Sequence, residues 1–243
     1  MLRWWKHQRN WVATEVSKLL GAVSAPYRRV VYALLITNLV SVALFGLRLL
    51  GAENFRYWFM IWNLLLAWVA PMIAWWLISR LRKIAWLTWQ NLALTVVWLG
   101  FLPNSFYMVS DLIHVQQTGE VSIIFDAVLF ISFIFNGFIA GYLGTFLVHR
   151  ELLKRLSVRR AWLVVGAIFA LCGYAIYLGR VLRWNTWDAL LQPAALLFDV
   201  SDNILNPLAH PQAFVVTVSF TVLITSFYVL AWECIRALRS DQR

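Results

Sequence analysis

A chain of 243 residues that is 62% hydrophobic and only 13% charged, with a mean hydropathy of +0.71, carries more apolar surface than a soluble domain can bury. No long polar block is left for a second, soluble domain. The net charge of +10 lies in short loops between apolar runs, a placement that points to anionic lipid headgroups and away from nucleic acid.

In chain order, residues 1–29 open with MLRWWKHQRNW, which is followed by no apolar core or small-residue cleavage site and is therefore not expected to be a signal peptide. Leu2, Trp5, Val12, Val16 and Leu19 recur at helical spacing, which predicts a basic amphipathic segment on the cytoplasmic leaflet. Six apolar runs follow. Residues 30–47, 57–79, 84–110, 161–179 and 203–232 hold no charge, and 121–149 holds only Asp126. Each supplies the roughly 20 helical residues that cross the hydrocarbon core. None alternates with the period of a strand, so the fold class is all-α: a polytopic bundle of six transmembrane helices. The spans are placed at about 30–50, 57–79, 84–102, 121–148, 161–179 and 212–232, with His210-Pro211 before the last and a tail at 236–243.

Basic residues set the expected orientation. Six Lys and Arg precede residue 30, three lie in 79–83, five in 149–160 and three after 233, against Arg48, Arg56, Arg180 and Arg183 in the other loops. This alternation predicts cytoplasmic N and C termini. Trp75, Trp76, Trp86, Trp89, Trp162 and Trp232 fall at predicted inner ends, and Trp58, Trp62, Trp184 and Trp187 at outer ends, as interfacial anchors do. Cys172 lies within the fifth span and Cys234 at the inner end of the sixth, so no disulfide joins them and no metal-ligand spacing exists.

Polar chemistry gathers at the predicted outer side. In FLPNSFYMVSDLIHV, 101–115, Pro103 is expected to interrupt or end the third span and Asn104 to cap a short helix. On that helix Asn104, Tyr107, Asp111 and His114 share one narrow stripe among bulky apolar residues. The stripe faces water, other protein groups or a pocket. Asp126 lies about three turns before Gly137, on the face of the small-x3-small pairs Gly137–Gly141 and Ala140–Gly144. It therefore points into the bundle and needs a partner, for which Arg180, Arg183 and His114 are the candidates. Arg180 and Arg183 lie one turn apart, a fork suited to a phosphate or carboxylate, unless they serve only to neutralise Asp111, Asp126 or Asp188. Asn185 is placed to cap an interfacial helix, WDALLQPAALLF, that starts near Asp188. His210, between two prolines, is read as a loop residue able to reach the same region, and His149 falls on the opposite side.

At LPNSFYMVSDLIH, 102–114, at Asp126 and at GRVLRWNTWD, 179–188, the chain resembles the bacterial membrane family domain of unknown function 1361. The resemblance covers about 30–235 and leaves out the N-terminal 29 residues. It implies a multi-pass helical protein of the bacterial cytoplasmic membrane, and it implies no activity.

Three functions are then weighed. The first is an outer pocket that recognises an anionic group, such as a lipid headgroup or lipid-linked phosphate. Arg180 and Arg183 would hold the anion, Asn104 and Tyr107 would add hydrogen bonds, and Asp126 would orient the arginines. The second is a metal-dependent hydrolase or transferase, with Asp111 and His114 as ligands and Asp126 or His210 completing the site. The third is a transporter, for which Asn38, Asn63, Asn91 and Asn136 are mid-span polar positions without coupling charges in the inner half. Ser110 is read as a hydroxyl satisfying a helix carbonyl and not as a nucleophile.

Overall fold

The structure is a computed structural model describing residues 25–52, 55–116, 121–184 and 188–240. All regular structure among these residues is helical: α1 (Ala25–Ala52), α2 (Phe59–Leu81), α3 (Trp89–Tyr107), a 3-10 segment (Met108–His114), α4 (Ile123–Leu153), α5 (Val158–Arg180), α6 (Asp188–Leu191), α7 (Pro193–Leu205) and α8 (Pro211–Ser240). α1 to α5 and α8 are each long and apolar enough to cross a membrane. Leu39, Leu65, Val96, Leu163 and Phe214 stand exposed on their outer faces, a surface suited to lipid and not to water. The chain is a multi-pass integral membrane protein. Of the expected amphipathic segment, 1–24 lies outside the described residues, and 25–29 form the start of α1.

α4 is the centre of the bundle and touches α1, α2, α3 and α5, while α8 packs along α5. Its glycines allow this, as their small-x3-small spacing predicts. A Cβ on Gly141 would stand 2.7–2.9 Å from the Phe106 ring and the Ser105 side chain, and one on Gly137 would strike the Ser105 carbonyl oxygen. Backbones this close gain dispersion contacts in a medium without a hydrophobic driving force.

The mid-span asparagines tie helices together. Asn136 donates to the Thr37 carbonyl oxygen at 3.2 Å and to Ser41 Oγ at 2.8 Å, and accepts from Thr37 Oγ1 at 2.6 Å, joining α4 to α1. Trp68 Nε1 donates to Asn38 Oδ1 at 3.2 Å, adding α2. Such bonds contribute about 1 kcal/mol each in a bilayer.

Pro103 does not end the third helix, contrary to the sequence expectation. α3 continues to Tyr107 and then tightens into the 3-10 segment, so Asn104 is an interior residue that donates to the Phe101 carbonyl oxygen at 3.1 Å instead of an N-cap. Neighbours hold the helix through the proline. Ser105 Oγ donates to the Ala67 carbonyl oxygen of α2 at 3.0 Å, and α4 lies against Ser105 and Phe106. The tightening rotates Ser110, Asp111 and His114 toward the end of α5.

α5 ends at Arg180. Beyond it Arg183 takes a left-handed backbone, φ 62°, and the Trp184 N–H returns to the Leu178 carbonyl oxygen at 3.1 Å. α6 and α7 are two pieces where one interfacial helix was expected, because Pro193 restarts the helix at its first turn. α7 is pinned over the end of α5 by Trp184 Nε1 to Asp199 Oδ2 at 2.8 Å and Tyr177 Oη to Asn203 Oδ1 at 3.2 Å.

Candidate functional site

Arg180 organises the site. Its Nε donates to Ser110 Oγ at 2.9 Å, Nη2 donates to Asp111 Oδ1, and Nη1 lies 3.2 Å from His114 Nε2. The guanidinium carbon stands 4.4 Å from the centroid of the Tyr107 ring, a cation–π contact that supports the fork from one side. An arginine has only donors, so a hydrogen bond at this contact needs the His114 tautomer that leaves Nε2 free to accept. Asn63 Nδ2 holds the second Asp111 oxygen at 2.8 Å. Asp111 is 3% exposed and Arg180 20% exposed, so the acid is sealed inside while the base keeps one edge open.

That edge belongs to a cavity of about 450 Å³ between α2, α3 and α5, roofed by Trp184 and by Leu196 of α7. Asn63, Asn104, Tyr107, Asp111, His114 and Arg180 supply its polar wall. Phe59, Trp62, Leu66, Leu178 and Leu196 supply an apolar one. His114 also meets the Phe59 ring edge-on at 5.3 Å, and its carbonyl oxygen accepts from Tyr57 Oη at 3.2 Å.

The predicted convergence of 104–114 with the end of α5 is thus present, through Asn104, Tyr107, Asp111, His114 and Arg180. Three expectations are corrected. Asp126 is fully buried, as its helical face predicts, but its partner is Arg48: Nε to Oδ1 is 2.8 Å, and both side chains are 0% exposed. Arg48 also stacks 4.2 Å above the Tyr57 ring. Asp126 therefore does not orient Arg180 or Arg183 and does not line the cavity. Arg183 is exposed on its left-handed turn and does not line the cavity either, so the two arginines do not form one fork. Asp188 opens α6 away from the cavity wall, and Asn185 lies outside the described residues.

The metal expectation loses its third ligand for the same reason. Asp111 and His114 both bind Arg180, Asp126 binds Arg48, and His210 Nε2 lies 2.7 Å from Asp202 Oδ2 on α7. Among the described residues, no three His, Cys, Asp or Glu side chains gather to hold an ion. Ser110 Oγ donates to the Tyr107 carbonyl oxygen at 2.6 Å and accepts from Arg180 Nε at 2.9 Å, as expected for a hydroxyl satisfying a helix carbonyl. The mid-span asparagines of the transporter reading are occupied as cross-links, and Asn91 holds Arg80 at 3.1 Å.

Sequence reasoning set Arg48 among the outer loops but missed it as the partner of Asp126, read Asn63 only as a mid-span polar position, and gave Tyr57 no role. A signal for the first existed: Arg48 and Asp126 are each the lone charge in their helix's apolar stretch, and such charges pair.

Residues 62–227 match the family described as "Protein of unknown function (DUF1361)", a stretch that holds the cavity's polar wall but leaves out Arg48, Tyr57 and Phe59. No curated protein and no solved structure matches the chain.

Proposed function

The chain belongs to the DUF1361 family, whose description names no activity, and from the geometry of the cavity we propose that this integral membrane protein recognises an anionic group there, a lipid headgroup or a lipid-linked phosphate. The supporting observation is the state of Arg180. Ser110, Asp111, His114 and the Tyr107 ring fix its plane, and these contacts use three of its five N–H bonds. Two N–H donors remain on a guanidinium that lines the cavity, in fixed geometry, with Tyr107 lining the same wall. A preorganised planar fork of this kind suits a phosphate or carboxylate and loses little entropy on binding.

Asp111 cancels most of the site's charge, so recognition rests on hydrogen-bond geometry more than on long-range attraction. That suits a monoanionic phosphodiester at a membrane surface. The alternation of basic loops supports placing the cavity on the extracytoplasmic side of a bacterial cytoplasmic membrane, with anionic lipid gathered at the opposite, basic face.

The test is native mass spectrometry of the full chain released from membranes, wild type against Arg180→Gln and Arg180→Lys. The reading expects retained anionic lipid to fall about tenfold in Arg180→Gln and less in Arg180→Lys. Unchanged lipid in both variants contradicts it.

A further inference from the structure

The cavity is longer than an anion requires. Its polar groups sit at the end of the bundle, but its lining continues to Leu66 on α2, Gly100 on α3 and Ala175 on α5. From Tyr107 to Gly100 is seven residues of helix, a descent of about 10 Å at 1.5 Å per residue. The polar-to-apolar gradient follows that descent, and Val96, one turn past Gly100, stands exposed on the same helix.

Gly100 is the telling residue. The glycines of α4 are explained by helices that touch them, whereas a Cβ on Gly100 would meet nothing within 4 Å. Gly46 and Gly166 are open too, but neither lines the cavity. Glycine inside a helix costs about 1 kcal/mol relative to alanine, and at Gly100 no contact among the described residues offsets that cost.

We infer that the ligand is a lipid and not a free anion, its phosphate on Arg180 and its hydrocarbon chain lying in the groove over Gly100 toward Val96. The inference rests on the anion reading above and adds the pose, in which the groove itself binds the hydrocarbon chain. Leu66, Ala175 and Leu178 give the chain an apolar bed, and the exposed Val96 below Gly100 lets it run on into the bilayer.

The experiment titrates the full chain in detergent with dioleoyl phosphatidic acid, glycerol 3-phosphate and inorganic phosphate, comparing wild type with Gly100→Ala, Gly100→Leu, Gly100→Phe and Arg180→Gln. Thermal unfolding without ligand serves as the folding control, and the open space at Gly100 predicts values at or above wild type for the three glycine variants. Phosphatidic acid is expected to bind at least tenfold more tightly than either soluble phosphate. Gly100→Leu and Gly100→Phe are expected to weaken the lipid at least tenfold without changing the soluble phosphates, and Gly100→Ala to weaken it by a smaller factor. If Arg180→Gln loses the lipid while both bulky glycine variants keep it, the chain does not use the groove, and the anion reading stands alone. Soluble phosphate binding as tightly as the lipid overturns the inference in the same way. Phosphatidic acid that fails to bind wild type, or binds Arg180→Gln equally well, overturns both.

Discussion

The Tyr57 hydroxyl donates to the His114 carbonyl oxygen at 3.2 Å, while the face of the same ring carries Arg48 at 4.2 Å. One side chain therefore joins a buried ion pair to the 3-10 segment that forms the cavity's polar wall. Phe130 packs edge-on to it at 4.9 Å, so the ring itself has little freedom. Tyr57→Phe should keep the packing and lose the hydrogen bond. Its expected cost is about 1 kcal/mol in thermal unfolding, with a several-fold loss of bound lipid because His114 and Asp111 lose their register. A stability loss with lipid retention unchanged would show that the segment is held without Tyr57.

The two carboxylates should differ in kind. Asp126 and Arg48 are both 0% exposed, so Asp126→Asn removes the carboxylate that faces a buried guanidinium and should cost about 3–5 kcal/mol. Asp111→Asn should cost about 1–2 kcal/mol, since Arg180 keeps an open edge and the amide oxygen can still accept. The double replacement Arg48→Met with Asp126→Leu should recover most of the larger loss, because well-packed apolar residues replace a buried pair at little net cost. Denaturant or thermal unfolding of the four proteins, read as a double-mutant cycle, checks the ranking. Equal costs for Asp126→Asn and Asp111→Asn would contradict it.

The architecture was legible because lipid imposes simple rules on composition. Runs between charges predict six apolar helices, the number found among the described residues, and the glycine spacing on α4 marks the face that buries Asp126. Which charge meets Asp126 was legible only in part, through Arg48 as the lone charge of its own apolar stretch. Partner choice depends on which helices are neighbours, and nothing in the apolar runs states that α1 packs on α4. Pro103 misled for a related reason: its helix-breaking tendency is local, and Ser105 bonded to Ala67, with α4 against Ser105, outweighs it. The stripe of Asn104, Tyr107, Asp111 and His114 was legible from helical spacing. The handedness of the turn at Arg183, which carries that side chain away from the cavity, was not.

Close packing makes a sharp prediction at Gly137. A Cβ there collides with the Ser105 backbone, which cannot give way as a flexible side chain would. Gly137→Leu should part α3 from α4 and lower the unfolding temperature or abolish folded yield in detergent, an overpacking cost of about 3 kcal/mol or more. Folded yield and melting temperature equal to wild type would show that the two helices do not approach as described.

Orientation has a native reporter. Cys234 is exposed and Cys172 is buried, so a bulky maleimide should label the first and spare the second. With Cys172→Ser as background, a membrane-impermeant maleimide on intact cells should miss Cys234 and label Leu208→Cys, whose position is 96% exposed in the turn between α7 and α8. Labelling of Cys234 in intact cells would reverse the basic-loop assignment.

The most direct measurement is a density map of the full chain in lipid nanodiscs. The account predicts non-protein density with a compact head within hydrogen-bond distance of the Arg180 guanidinium and an elongated tail passing Gly100 toward Val96. A map that resolves lipids around the bundle but leaves the space between Arg180, Trp62 and Gly100 free of them would contradict it.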